Sequence, residues 1–146
     1  MQPYPHSYSV VAAAGPEDSV RLSAQGLSAI ASAPPREFDG PGDLWSPESL
    51  LVASLADCFV LTFRAISRPA KFAWRKLECQ VDGVLERVDG VAQFSRFTTR
   101  ATLIVPPGAD IAKARLLLEK AERGCLISNS VRGTRSLAAE VRVDPV

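Results

Sequence analysis

The longest near-apolar run of this 146-residue chain, Leu50–Phe63, already contains Asp57 and falls short of the ~20 residues that cross a bilayer. A membrane partner is therefore not expected. Charge of one sign is also missing. The 17 Lys and Arg balance 16 Asp and Glu, the formal net charge is +1, and no basic run occurs. Nothing in that balance pulls broadly on nucleic acid or an anionic surface. There is one histidine, His6, in what reads as an N-terminal arm, with no carboxylate pattern around it, so no metal site is expected. The three cysteines are an odd number, and their spacing suits no zinc motif. The opening "MQPYPHSYSV" lacks a basic start followed by an apolar core. A cytoplasmic location with reduced thiols is the expectation. Repeats and low-complexity segments are absent too.

What remains is a globular composition, 47% hydrophobic and 23% charged. One domain over residues 1–146 is expected, large enough to bury a core without disulfides. Tyr8–Ala13, Ser19–Ala24 and Ser28–Ala33 read as short strands broken at Gly15-Pro16 and Gln25-Gly26. Ala33–Trp45, rich in Pro and Gly, reads as a loop. Ser46–Arg68 then reads as one helix, capped by Ser46, opened by Pro47 and stopped by Pro69. It is apolar on nearly every side, which suits the central helix of a fold.

Leu77, Cys79 and Val81 alternate with polar residues as a half-buried strand does. Val88-Asp89-Gly90-Val91 is a hairpin turn leading into a second strand that ends near Val105, and Gly83 marks a bulge. Asp110–Arg123 reads as an amphipathic helix with Ile111, Ala114, Leu117, Leu118 and Ala121 inward, ended by Gly124. Cys125–Val131 fits a short second helix and Leu137–Val143 a last strand. The order β-β-β-α-β-β-α-β is an α+β pattern.

The central helix carries an acid, Glu48, in its first turn and a thiol, Cys58, in its middle. Their spacing leaves the side chains roughly 80° apart around the axis and about 15 Å apart along it. They do not touch, so any coupling needs a bridging group, and an arginine has the right chemistry to pair with the acid and stabilise a thiolate. Cys125, after Gly124 and beside free backbone N–H groups, has a reason to ionise or react. Taken alone, a cysteine on a buried helix is more often a small hydrophobe, and Cys79 reads as one. Ser54, Trp45, Phe59 and Phe63 read as packing or pocket wall, and Ser128, Asn129 and Ser130 as caps.

"SPESLLVASLADCF" resembles the first signature of the OsmC/Ohr family of thiol peroxidases, and "LEKAERGCLISNS" resembles its second, a helix ending in Gly-Cys. "PPREFDGPGDLWSPE" is similar to the Gly-rich lead-in of that family. The resemblance implies an OsmC-like fold, with antiparallel sheets packed around a long central helix in an intertwined homodimer. It implies a peroxidase that reduces organic hydroperoxides, with Cys58 peroxidatic, Cys125 resolving and Glu48 orienting an arginine. No cofactor is implied beyond an external thiol or dithiol reductant. In one branch of the family the arginine comes from an N-terminal strand turn, where Pro16 stands here. In the other it precedes the helix, which makes Arg36 the candidate, with Arg21 behind it. Asp57 and Leu126 depart from the family pattern, which has a small residue before the first Cys and commonly a Pro after the second. These departures keep open a non-catalytic dimer binding a small ligand between subunits, and thiol chemistry on another electrophile.

Overall fold

Val11–Ala13 (β1), Val20–Ser23 (β2) and Ile30–Ser32 (β3) open the structure, a computed structural model in which residues 1–145 are described. They form an antiparallel sheet of order β1-β2-β3, with Ala12 opposite Leu22 and Arg21 opposite Ala31. Each is shorter than alternation suggests. All of β1 is exposed, and a strand without a buried face has little beyond its ladder to extend it. The chain divides into two compact units, Met1–Leu50 and Leu51 onward.

In the first unit, the Pro-rich loop after β3 winds into a single 3₁₀ turn, Arg36–Phe38, closed by Asp39 at φ 62°. Ala33 N–H donates to the Trp45 carbonyl at 2.9 Å, tying the loop's two ends together. Gly42 has φ 77°, and a Cβ there would run into the Arg36 side chain. Glycine is favoured by that left-handed backbone, and the Arg36 side chain crosses the space a Cβ would take.

Pro47–Ser67 is the long helix, α1. Its start is a reciprocal cap: Ser49 N–H donates to Ser46 Oγ at 3.1 Å, and Ser46 N–H donates to Ser49 Oγ at 2.8 Å. At 21 residues it outruns the Leu50–Phe63 segment, and by length and composition alone it is long and apolar enough to cross a membrane. Asp57 stands exposed on it, however, while Phe59 and Phe63 are buried in a protein core.

The second unit is built on Lys76–Val88 (β4), Val91–Val105 (β5), the helix Ile111–Gly124 (α2) and Thr134–Val143 (β6). Asp89 and Gly90 both take positive φ, 51° and 78°, which is the turn that suits the twist of a two-residue hairpin. The bulge lies between Val84 and Leu85, one residue past Gly83. The sheet order is β4-β5-β6, and here the antiparallel expectation is corrected, because β6 runs parallel to β5 with Arg96 opposite Thr134. The reason is α2, which carries the chain back along the sheet as a parallel connection requires. The helix expected over Cys125–Val131 shrinks to a 3₁₀ turn at Ser128–Ser130, where Ser130 Oγ donates to the Leu126 carbonyl at 2.7 Å.

The main core joins Phe59 and Phe63 of α1 to Ala101, Leu103 and Val105 of β5 and to Ala114, Leu117, Leu118 and Ala121 of α2. The second cluster joins Leu55, Val81 and Phe97, with Ile127 and Val131 packed against it. Together these contacts hold the middle of α1 beside the end of α2.

Candidate thiol active site

Helix α1 presents Cys58 half-buried, with Thr62 one turn on and its Oγ1 3.7 Å from the sulfur. Helix α2 ends on Gly124, and Cys125, fully buried, follows it in extended conformation. The fold brings these two sulfurs close enough to act on one another across 67 residues of chain (125 − 58).

Their environments are opposite. Burial pushes the Cys58 thiol up. The Ile127 N–H, the Cys125 thiol, the Thr62 hydroxyl and the Leu126 N–H outweigh it, and Cys58 ionises below an ordinary thiol. Donors aimed at a sulfur stabilise its anion. Burial also pushes Cys125 up, and neither the Ser128 hydroxyl nor the Ser128 N–H reverses that, while the Cys58 sulfur adds to it. Cys125 therefore stays a thiol. Of the two courses expected for Cys125, to ionise or to react, burial disfavours the first. The free N–H groups beyond α2 exist, but two of them act on Cys58, and Cys125 sits at the negative end of the helix.

Leu126 is one of those donors. A proline there would have no N–H to give. Leu126→Pro is expected to slow alkylation of Cys58 by iodoacetamide about tenfold at neutral pH, since one hydrogen bond to a charged sulfur is lost. Cys125, at φ −67° and ψ 106°, already has a backbone that a following proline tolerates. Leu126→Ala keeps the N–H and is the control. Equal rates in the two variants would remove Leu126 from the site.

Glu48 occupies the second position of α1, with Oε2 closed off from solvent and without a hydrogen-bond partner. It lines an apolar recess of ≈ 250 Å³ with Ala33, Pro34, Pro35, Phe38 and Pro47. Among the described residues no cation lies within ion-pair distance of it. Arg36 and Arg21 are exposed in the same unit and make no ion pair among the described residues. The groups that lower Cys58 are all neutral donors.

Other side chains settle more plainly. Asp57 is exposed and absent from the groups acting on Cys58. Ser54 donates to the Leu51 carbonyl at 2.6 Å inside its own helix. His6 is exposed, stacks on Tyr4 at 4.7 Å and touches the Gln2 carbonyl. No metal-holding cluster occurs among the described residues. Phe59 and Phe63 are core and not pocket wall, and Trp45 is 51% exposed. The apolar recess of the second unit, ≈ 280 Å³, is lined instead by Leu51, Val91, Phe94, Phe97, Val131 and Arg132. Ser128 acts on Cys125 although its spacing suggested only a cap. Thr62 was readable, being four residues after Cys58 on one helix face. The Ile127 N–H had no signal at all.

The OsmC-like protein family pattern matches residues 40–139. The uncharacterized protein YmaD of Bacillus subtilis is 29% identical over 112 residues, 75% of each chain. The organic hydroperoxide resistance protein of Xanthomonas axonopodis pv. citri is 33% identical over 102 residues, 68% of each. An OsmC-like protein of unknown function from Vibrio cholerae superposes with a TM-score of 0.85 at 16% identity, over 92% of this chain and 99% of that one. An organic hydroperoxide resistance protein from Legionella pneumophila gives 0.74 at 24% identity, over 95% and 98%. The fold is shared nearly end to end, the family pattern spans both Cys58 and Cys125, and the chain belongs to the OsmC-like protein family.

Proposed function

We propose that the protein is a cysteine-based peroxidase that reduces organic hydroperoxides in oxidative stress defence. The observation that carries this reading is the asymmetric sulfur pair, an anion-stabilised Cys58 against a protonated, buried Cys125. The relative from Xanthomonas, an organic hydroperoxide resistance protein, supports it.

The Cys58 thiolate attacks the outer peroxide oxygen, the O–O bond breaks, and the alkoxide leaves and takes a proton as alcohol. Cys58 is then a sulfenic acid. The Cys125 sulfur displaces its hydroxyl, which leaves as water with the Cys125 proton, and a disulfide closes. An external thiol or dithiol reduces that bridge. The recess lined by Phe94 and Phe97 belongs to the cluster that Ile127 packs against, and Ile127 donates to Cys58. Apolar space in the unit that carries both cysteines favours a bulky organic hydroperoxide over hydrogen peroxide.

Glu48 is the orienting acid: its buried, unpartnered Oε2 suits a guanidinium, and Arg36 in the same unit is the candidate to supply it. The working form is a homodimer. Leu61 is 50% exposed on an otherwise apolar α1, and Tyr4, Tyr8 and Val10 are bare along the N-terminal arm. A second copy of the chain covers such surface.

The test mixes reduced protein with a slight excess of cumene hydroperoxide. Two of the three thiols should disappear, Cys58 and Cys125 should be linked by mass, and light scattering should give twice the chain mass. Three surviving thiols would favour the ligand-binding dimer. A monomer mass would remove the dimer.

A further inference from the structure

The turn that carries Cys125 is tied down by Asn129. Its N–H donates to the Cys125 carbonyl at 3.0 Å, and its Nδ2 donates to the Arg123 carbonyl at 3.1 Å. One residue thus holds both Cys125 and the chain entering it. Asn129 is itself held from β6, because Arg135 Nη1 donates to Asn129 Oδ1 at 3.2 Å. Arg135 Nε lies 3.9 Å from Glu122 Oε1, back on the last turn of α2. Both Glu122 oxygens are shut from solvent without a hydrogen-bond partner, and Arg135 is the acid's one ion-pair partner among the described residues. A sheltered carboxylate needs such a charge beside it. The contacts close into a ring that runs from Glu122 to Arg135 to Asn129 to Arg123 and braces the backbone on which Cys125 sits. The peroxidase steps above use none of these four residues.

We propose that Arg135 is a positioning residue for disulfide closure, which acts through Asn129 and Glu122 to hold Cys125 ready for Cys58 before oxidation begins. This rests on the peroxidase reading for the pairing of the two sulfurs. Strand β6 is a firm anchor. Arg135 stands opposite Phe97 in the parallel ladder, and Phe97 is buried in the second core cluster. Ile127, in the braced turn, packs against that same cluster, which also holds Leu55 of α1. A loose turn would have to be ordered each time the bridge forms, and the lost entropy counts against closure. A braced turn is ordered already, so Cys125 has a high effective concentration toward Cys58.

A plain helix cap would account for the Asn129–Arg123 bond alone. A cap stabilises the dithiol and the disulfide alike, and its loss leaves the redox potential of the pair unmoved. Preorganisation acts on one side of that equilibrium, so the potential is the readout.

Protein is equilibrated in mixtures of reduced and oxidised glutathione with no hydroperoxide present. Oxidised glutathione takes two electrons from Cys58 and Cys125, the bridge forms, and two reduced glutathiones leave with the two protons. Samples are quenched in acid and alkylated with N-ethylmaleimide, and the bridged fraction is read by mass. Arg135→Ala should move the equilibrium about tenfold toward the dithiol, which raises the potential by about 30 mV. Asn129→Ala should move it the same way, and the double variant should fall short of the sum, because the two share one link. Asn129 is exposed, so Asn129→Ala keeps the test open should Arg135→Ala fail to fold. Arg142→Ala removes an ion-paired arginine of the same strand outside the ring and should leave the potential unchanged. A wild-type potential in folded Asn129→Ala and Arg135→Ala overturns the proposal, even where their thermal midpoints fall. A wild-type protein that forms no Cys58–Cys125 bridge in any mixture overturns the sulfur pairing, and the peroxidase reading with it.

Discussion

Cys58→Ser is expected to remove hydroperoxide reduction, by roughly 10³-fold or more, the scale on which loss of a reacting nucleophile acts. A serine hydroxyl carries no anion near neutral pH, and the four donors around the sulfur cannot supply one. Cys125→Ser should behave differently. Its first turnover survives, because Cys58 keeps the Ile127, Leu126 and Thr62 donors. The second turnover then stalls on an unresolved sulfenic acid. Dimedone should label that acid in Cys125→Ser and label nothing in Cys58→Ser. A single-turnover rate unchanged by Cys58→Ser would end the assignment of the attacking sulfur.

The pH profile carries the same asymmetry. A free cysteine loses reactivity as pH falls through the ordinary thiol range, because the thiolate disappears. Cys58 is ionised below that range, so its single-turnover rate should hold as pH falls and drop only once its own lowered pKa is passed. Cys125, shifted the other way, stays protonated over the same interval and delivers its proton as the disulfide closes.

Local chemistry made part of this legible. Ser46, Pro47 and Pro69 bound α1 to within a residue because caps and prolines act on their immediate neighbours. Asp89-Gly90 placed the hairpin for the same reason. The direction of β6 was not local. It depends on where α2 returns the chain, and an alternating strand looks the same in either direction. Phe59 and Phe63 illustrate another limit. On a helix apolar all round, periodicity cannot say which side meets core and which meets a pocket. The site itself was half legible. Its two cysteines sit in recognisable surroundings, but the N–H groups of Ile127 and Leu126 leave no trace in side-chain identity. Glu122 lies four residues after Leu118, at the margin of the inward face of α2, where an acid normally reaches solvent.

The largest loss of stability should come from Phe63→Ala, about 3–5 kcal/mol at a fully buried phenylalanine. Phe63 meets Trp74 edge-on at 5.3 Å, and Trp74 Nε1 donates to Ser67 Oγ at 3.0 Å. Around it stand Leu103 and Val105 on β5 and Leu118 on α2, all fully buried. Leu103 and Val105 sit on a strand tied by long hydrogen-bond ladders on both sides, so the hole cannot close cheaply. The thermal midpoint should drop by roughly 10 °C or more. Leu116→Ala, at a residue 47% exposed on α2, should cost far less. Equal midpoints for the two variants would mean that Phe63 does not hold this core. The chemistry should follow the packing. Helix α1 carries Cys58 and α2 delivers Cys125, and Phe63 is one of the side chains that clamp the two helices to one sheet. A loosened clamp weakens the alignment of the Ile127 and Leu126 donors, and alkylation of Cys58 in folded Phe63→Ala should slow while that in Leu116→Ala does not.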